Sequence, residues 1–228
     1  RFPASRANTY DTEMNIQHSR LQSLSYSFEV FKEKRIIDDG TWKITDKSVY
    51  YGNEWYEVWK KFAKDKITNA KKYMVDIPML DTRKGDGTLI KVPYPTFTEV
   101  DSFSEFETED VANIQDNNEL GESGGNTIHM RQGLAKIRFL SDIPKLISKS
   151  NNPMLLTAHI GKDIPMDPRA APIKKLQFLK NGDKIKGVTD KFMFLTSVCW
   201  QCSSAIPFTN DTTKAPEYPR STEDDMKG

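Results

Sequence analysis

The chain has 228 residues, 37% hydrophobic and 29% charged, an ordinary globular balance with enough apolar material for one sizeable core. Its 33 basic and 32 acidic residues nearly cancel, so no global field draws it to nucleic acid or an anionic membrane, and any anion-binding surface has to be local. No apolar run approaches the roughly 18 residues of a bilayer span, no leader pattern opens the chain, and two cysteines exclude a disulfide framework, so a soluble, cytoplasmic protein is expected.

In chain order, Asn8, Thr9 and Tyr10 favour a strand that ends on the carboxylates Asp11 and Glu13, and residues 15–24 read as a helix. Ile44, Val49 and Tyr51 suggest a short strand within 43–51. Asn53 is suited to capping a helix that gathers Trp55, Val58, Trp59, Phe62, Ala70 and Tyr73 on one face. Lys60, Lys61, Lys64, Lys66, Lys71 and Lys72 are expected on its solvated opposite face. Two β-like runs around Gly85 and Gly87 predict a hairpin over 74–92, and after Pro93 and Pro95 a further strand ends on Asp101.

The polar stretch 110–126, with Gly121, Gly124 and Gly125, is expected to be a mobile loop. Met130, Leu134, Ile137, Leu140 and Ile143 then mark the apolar face of a long helix, bent at Pro144. Residues 154–160 read as a buried parallel strand. The connection 161–187 is far longer than usual and therefore functional or disordered. Residues 191–200 read as another buried strand, and the tail 209–228, rich in Pro, Asp, Thr and Lys, is expected to be poorly ordered. The whole predicts an α/β fold with a mostly parallel central sheet flanked by helices.

In such sheets ligands sit beyond the carboxyl ends of the strands, which singles out Asp11, Glu13, Asp101, Ser102 and His159. Nucleotide hydrolysis needs a set of this kind: one carboxylate to hold Mg²⁺, a second to position water, and a polar group that senses the terminal phosphate. Tyr10, Asp11, Thr12 and Glu13 resemble the segment of RecA and phage UvsX recombinases whose glutamate activates water. Val100, Asp101 and Ser102 resemble their Walker B strand end. Gly121 to Gly125, followed by His129, Met130 and Arg131, resembles their first DNA-binding loop and the helix after it. Leu155, Leu156, Thr157, Ala158 and His159 resemble the strand whose last residue reports on the γ-phosphate. The segment with Lys174, Lys175, Lys180, Lys184 and Lys186 stands where their second DNA-binding loop lies.

This resemblance implies a RecA-like P-loop NTPase core over 1–208, with 74–92 as a hairpin insertion and 209–228 as a tail. It further implies ATP and Mg²⁺ as cofactors, with Asp101 at the metal, Asp11 and Ser102 near the nucleotide, and Glu13 and His159 as catalytic residues. The partners implied are single-stranded DNA, contacted by His129, Arg131 and the five lysines, and further copies of the chain in a filament or ring. The activity implied is DNA-dependent ATP hydrolysis driving strand exchange in recombination and repair, in a bacterial host's cytoplasm if phage-encoded. One departure is large. No Gly-x-x-x-x-Gly-Lys-Ser/Thr phosphate loop occurs, and Gly161 and Lys162 lack its other residues. The resemblance puts that loop upstream of Glu13, so the chain is expected to be cut before Arg1, and its charged C-terminus suggests a second cut. Thr98 and Glu99 also interrupt a strand that is usually apolar.

Blander readings stand beside each residue. Glu13 is equally a helix N-terminal acid, His159 a satisfied histidine at a strand end, and the lysine-rich segment a plain surface connection. As a DNA contact, that segment would bind with steep salt dependence, and Phe178 could stack on bases. A hexameric replicative helicase or a non-catalytic DNA-binding accessory protein would share the fold. Cys199 and Cys202 have metal or redox spacing, but no second ligand pair follows, and two semi-buried thiols on a strand are expected.

Overall fold

The computed structural model describes residues 5–117, 125–163, 179–188 and 191–202. In chain order the elements are β1 (Arg6–Asp11), α1 (His18–Ser25), β2 (Trp42–Asp46), α2 (Gly52–Thr68), β3 (Met74–Leu80), β4 (Leu89–Pro93), β5 (Thr96–Asp101), α3 (Glu109–Asp116), α4 (Gly125–Ser150), β6 (Met154–Leu156), β7 (Ile160–Lys162), β8 (Asp183–Ile185) and α5 (Lys191–Leu195). Four strands form a parallel sheet in the order β2-β1-β5-β6. β3 pairs with β4, and β7 with β8, as separate two-stranded antiparallel sheets. Residues Arg1–Leu195 form one compact unit and Thr196–Gly228 a second. No helix among the described residues is long and apolar enough to cross a membrane.

One face of the sheet carries the core. Tyr10 and Val100 are register partners on β1 and β5, both fully buried, and α2 and α4 pack over them. Tyr10 stacks on Trp55 with ring centroids 4.9 Å apart, and its hydroxyl donates to Tyr50 O (2.7 Å). Phe139 of α4 enters a cluster formed by Trp55, Tyr56, Trp59, Phe103 and Phe106. Aromatic side chains bury the most apolar area per residue, which lets two helices supply most of this layer.

Polar groups fasten the two helices to each other. Tyr56 donates to Asp142 Oδ2 (2.6 Å), and Lys60 Nζ pairs with the same oxygen at 3.0 Å. These bonds hold the Asp142 carboxyl down to about 2, while burial and the same carboxylate push Tyr56 up to about 12. A carboxyl whose folded value lies below its unfolded one stabilises above the unfolded value, and the contribution is lost as pH falls through the folded value. The wild-type urea midpoint is therefore expected to fall faster than that of Asp142→Asn between about pH 4 and pH 2, with the two curves converging at the acid end. Parallel curves would show that the bridge contributes nothing.

Several expectations are corrected. Lys66 is not on the solvated face of α2: it is fully buried, donating to Tyr94 O (2.8 Å) and Thr96 Oγ1 (2.9 Å), and burial lowers its ammonium to about 8. Lys60 is likewise occupied by Asp142. Asn53 does not cap α2. That helix starts at Gly52 with Glu54 accepting from Tyr51 N (2.9 Å), and Asn53 Oδ1 instead accepts from Glu109 N at the start of α3. Gly52 sits so close to the segment after β5 that a Cβ would lie 2.6 Å from Glu107 O.

Part of the expected mobile loop is α3, whose Val111 and Ala112 are buried. Met130 and Leu134 are exposed, and the buried face of α4 runs instead through Ile128, Lys136, Phe139, Leu140 and Ile143. The helix runs through Pro144 without ending. The segment 191–200 is not a strand: its Phe192 enters the core from α5. Cys199 and Cys202 are exposed and lie outside any strand. The connection 161–187 contains β7 and β8. Lys174, Lys175, Phe178 and the tail 209–228 lie outside the described residues.

Candidate functional site

The sheet order reverses direction between β1 and β5: the step from β1 to β2 runs one way, the step from β5 to β6 the other. Such a switch point opens a crevice at the carboxyl ends of the two strands, where α/β sheets bind ligands. Asp11 and Asp101 are register partners there.

Each end is shaped by short-range bonds. Asp11 closes a turn on itself, Oδ1 accepting from Glu13 N (3.1 Å) and Oδ2 from Ile16 N (2.8 Å), the habit of an aspartate at a strand exit. Met14 takes a left-handed conformation (φ 53°), which costs a non-glycine residue about 1–2 kcal/mol. Together these fix the backbone that carries Glu13. The Thr12 hydroxyl accepts from Ser102 N (2.7 Å) and donates to Ser102 O (2.8 Å), tying β1 to the cis Asp101–Ser102 peptide. Asp101 Oδ1 accepts from Thr157 Oγ1 at 2.5 Å, one residue past β6.

Across the crevice, His159 Nε2 meets Glu13 Oε1 at 2.6 Å, with the imidazole half exposed. Asn15 Nδ2 donates to Glu13 Oε2 (3.2 Å). The His159 contact, and behind it the Ser102 hydroxyl, hold the Glu13 carboxyl below the usual carboxylate range against a smaller opposing effect of burial. The Ser102 hydroxyl is fully buried and makes no hydrogen bond of ordinary length among the described residues, although it faces Glu13 closely enough to favour the charged form. The backbone of His159 is held as well: its N donates to Ser104 Oγ (2.9 Å) and its O accepts from Lys186 N (2.7 Å).

The fold thus brings together Glu13, His159, Asp101, Ser102 and Asp11, read from the sequence as one group. Asp11 accepts one backbone amide at each oxygen, which positions Glu13 and leaves each oxygen a further acceptor site. Among the described residues no group of three or more His, Cys, Asp or Glu side chains is arranged to hold a metal ion. Mg²⁺ at a phosphate site needs only one or two carboxylates, with phosphate and water completing its sphere, and Asp101 with the Ser102 hydroxyl next to it suits that demand.

The basic residues are more dispersed. Lys180, Lys184 and Lys186 are exposed on and beside the β7–β8 hairpin, but Lys184 pairs with Asp163 at 3.2 Å, and Lys162 with Asp183 at 2.5 Å. Arg131 is exposed on α4, where His129 is described in its backbone alone.

Thr12, Thr157, Ser104 and Lys136 escape the sequence reading, although Thr12 and Thr157 lie inside the runs quoted above for Glu13 and His159. The polar residues Thr98 and Glu99 on β5 are also accounted for. Thr9 Oγ1 donates to Glu99 Oε2 (2.9 Å) and accepts from Trp42 Nε1 (2.9 Å), a polar chain running across three strands. Asn152 joins Thr98, Thr96 O and Trp59 Nε1 at the opposite end of the sheet. Burial raises the Glu99 carboxyl, with Thr9 opposing. No protein-family model and no curated protein matches this chain.

Proposed function

We propose that this chain is the hydrolytic part of an ATP-dependent DNA-handling protein of the RecA-like class, in its most specific form a strand-exchange recombinase that assembles on single-stranded DNA. The observation that carries the reading is the Glu13–His159 contact beside Asp101 at the switch point of a parallel sheet. A carboxylate that orients water, a group that senses phosphate and a second carboxylate for Mg²⁺ are what phosphoryl transfer to water requires within one crevice.

When bound, Mg²⁺ would neutralise charge on the phosphates. Asp101 would hold it through the oxygen that Thr157 leaves open, with Ser102 offering its hydroxyl. Glu13 is ionised at neutral pH and would orient the attacking water and take its proton. Each of its oxygens has one contact here, Oε1 with His159 and Oε2 with Asn15, and a water would use a remaining acceptor site or replace one of these contacts. Binding of His159 to a phosphate oxygen would release Oε1 and link nucleotide occupancy to water activation. No Gly-x-x-x-x-Gly-Lys-Ser/Thr loop occurs in the sequence, and the reading requires a triphosphate cradle of another kind or from another source.

The test is ATP turnover by the longest natural product containing these residues, with and without single-stranded DNA, beside Asp101→Asn. DNA-stimulated turnover that the substitution abolishes supports the reading. A folded wild type that binds DNA without hydrolysing ATP makes it an accessory DNA-binding protein instead.

A further inference from the structure

Four segments distant in sequence meet behind His159. The Lys136 ammonium, from the middle of α4, donates to Ser104 O (2.7 Å) and Gly187 O (2.8 Å) and lies over the Phe103 ring at 5.7 Å. Ser104 follows β5 by three residues, and its hydroxyl accepts from His159 N (2.9 Å) while donating to Lys186 O (3.0 Å). Lys186 N closes the ring by donating to His159 O (2.7 Å). Gly187 is left-handed (φ +63°), and a Cβ there would stand 2.6 Å from Ser104 O and 3.1 Å from Lys136 Nζ. The Lys186 stem lies over Gly161, where a Cβ would displace that exposed side chain rather than the backbone.

A buried ammonium held by two carbonyls and an aromatic ring is a costly way to fill space, since an apolar side chain of the same volume avoids the desolvation. Its ammonium is driven down to about 8 by burial, with Glu105 and Glu107 opposing. The chemistry at this point is set by the two carbonyls it joins, one on the segment that follows Asp101 and one at the return of the basic connection.

We propose that Lys136 and Ser104 are positioning residues: together they form a junction that fixes His159 against Glu13 and transmits movement of the Lys184–Gly187 segment to that pair. The inference rests on the reading of Glu13 and His159 as the hydrolytic pair. It adds that the setting of the pair is controlled from the basic segment by two residues that touch no substrate.

The experiment uses the full chain, isotope-labelled for NMR, as wild type, Ser104→Ala, Ser104→Thr, Lys136→Met and Glu13→Gln. In Ser104→Ala and Lys136→Met the His159 imidazole resonance is expected to move towards its position in Glu13→Gln. Amide exchange at His159 and Lys186 should quicken about tenfold, the worth of one lost hydrogen bond, while exchange along β5 is unchanged. Ser104→Thr, which keeps the hydroxyl, should restore the wild-type resonance. If Lys136→Met does not fold, Ser104→Ala against Ser104→Thr decides the matter. Faster exchange at Lys186 with an unmoved His159 resonance would reduce the junction to a structural clamp and overturn the proposal.

The second readout separates this proposal from the one it rests on. Ser104→Ala should lose DNA stimulation of kcat with KM for ATP unchanged, whereas a wild type without ATP turnover retires the hydrolytic reading and leaves the His159 resonance to judge the junction.

Discussion

Glu13→Gln is expected to lower ATP turnover by about 10²–10⁴-fold, the usual contribution of a positioned general base, with nucleotide and DNA affinity retained. The substitution keeps the size and hydrogen-bonding reach of the side chain, and the turn made by Asp11 with Glu13 N and Ile16 N does not involve the side chain being changed. It removes the carboxylate charge, and with it the proton acceptor and the ionic part of the His159 contact. The folded-state carboxyl lies below its ordinary value, so the loss of turnover that comes from protonating Glu13 should appear only under acid conditions. Single-turnover hydrolysis across a pH series measures both effects. Equal rates for wild type and Glu13→Gln would mean that water is activated elsewhere and would turn the Glu13–His159 contact into a structural ion pair.

The largest loss of stability should come from Phe139→Ala. Its ring is buried to 1% exposure, with centroids of Tyr56, Phe103 and Phe106 within 5.2 Å and those of Trp55 and Trp59 at 6.3 Å. Truncating a large aromatic in such a setting removes the transfer energy of the ring and leaves a cavity, together about 3–5 kcal/mol. A typical domain holds only about 5–15 kcal/mol in all, so the variant should be marginal at room temperature. Equilibrium urea unfolding at constant m-value checks this through the shift in midpoint. A loss under about 1 kcal/mol would show that the neighbouring rings close over the vacancy, contrary to the stiffness expected of a close-packed interior.

The strands β1 and β5, the helix α2 and the hairpin of β3 with β4 are legible in the sequence because apolar runs there are bounded by Pro, Gly or acidic residues, which carry their own backbone geometry. What misleads is the short apolar run. Phe192, Met193, Phe194 and Leu195 suit a buried strand as well as one turn of helix, and periodicity over so few residues cannot choose between them. Lys66 defeats pattern reading differently. Its position on α2 follows the outer-face rule, and only the arrival of Tyr94 and Thr96, about thirty residues later, gives its ammonium two oxygens in the interior. Glu13 and His159 could be named separately from their places after strands, but the contact between them spans 146 residues and depends on sheet order. Ser104 and Lys136 carry no local signature at all, since a serine in a short turn and a lysine on a helix are ordinary surface residues until four segments converge.

The stack of Tyr10 on Trp55 gives the site an optical reporter of its own. Tyr10 is the residue before Asp11, and its ring lies 4.9 Å from an indole that is 2% exposed, so a shift of the β1 terminus changes the surroundings of that indole. Trp200, at 82% exposure, is expected to emit as a solvated indole, whereas Trp55 and Trp59, each 2% exposed, supply the blue side of the native fluorescence, so Trp59→Phe is needed to isolate the component next to Tyr10. A titration with nucleotide followed at the blue edge would read occupancy without any label.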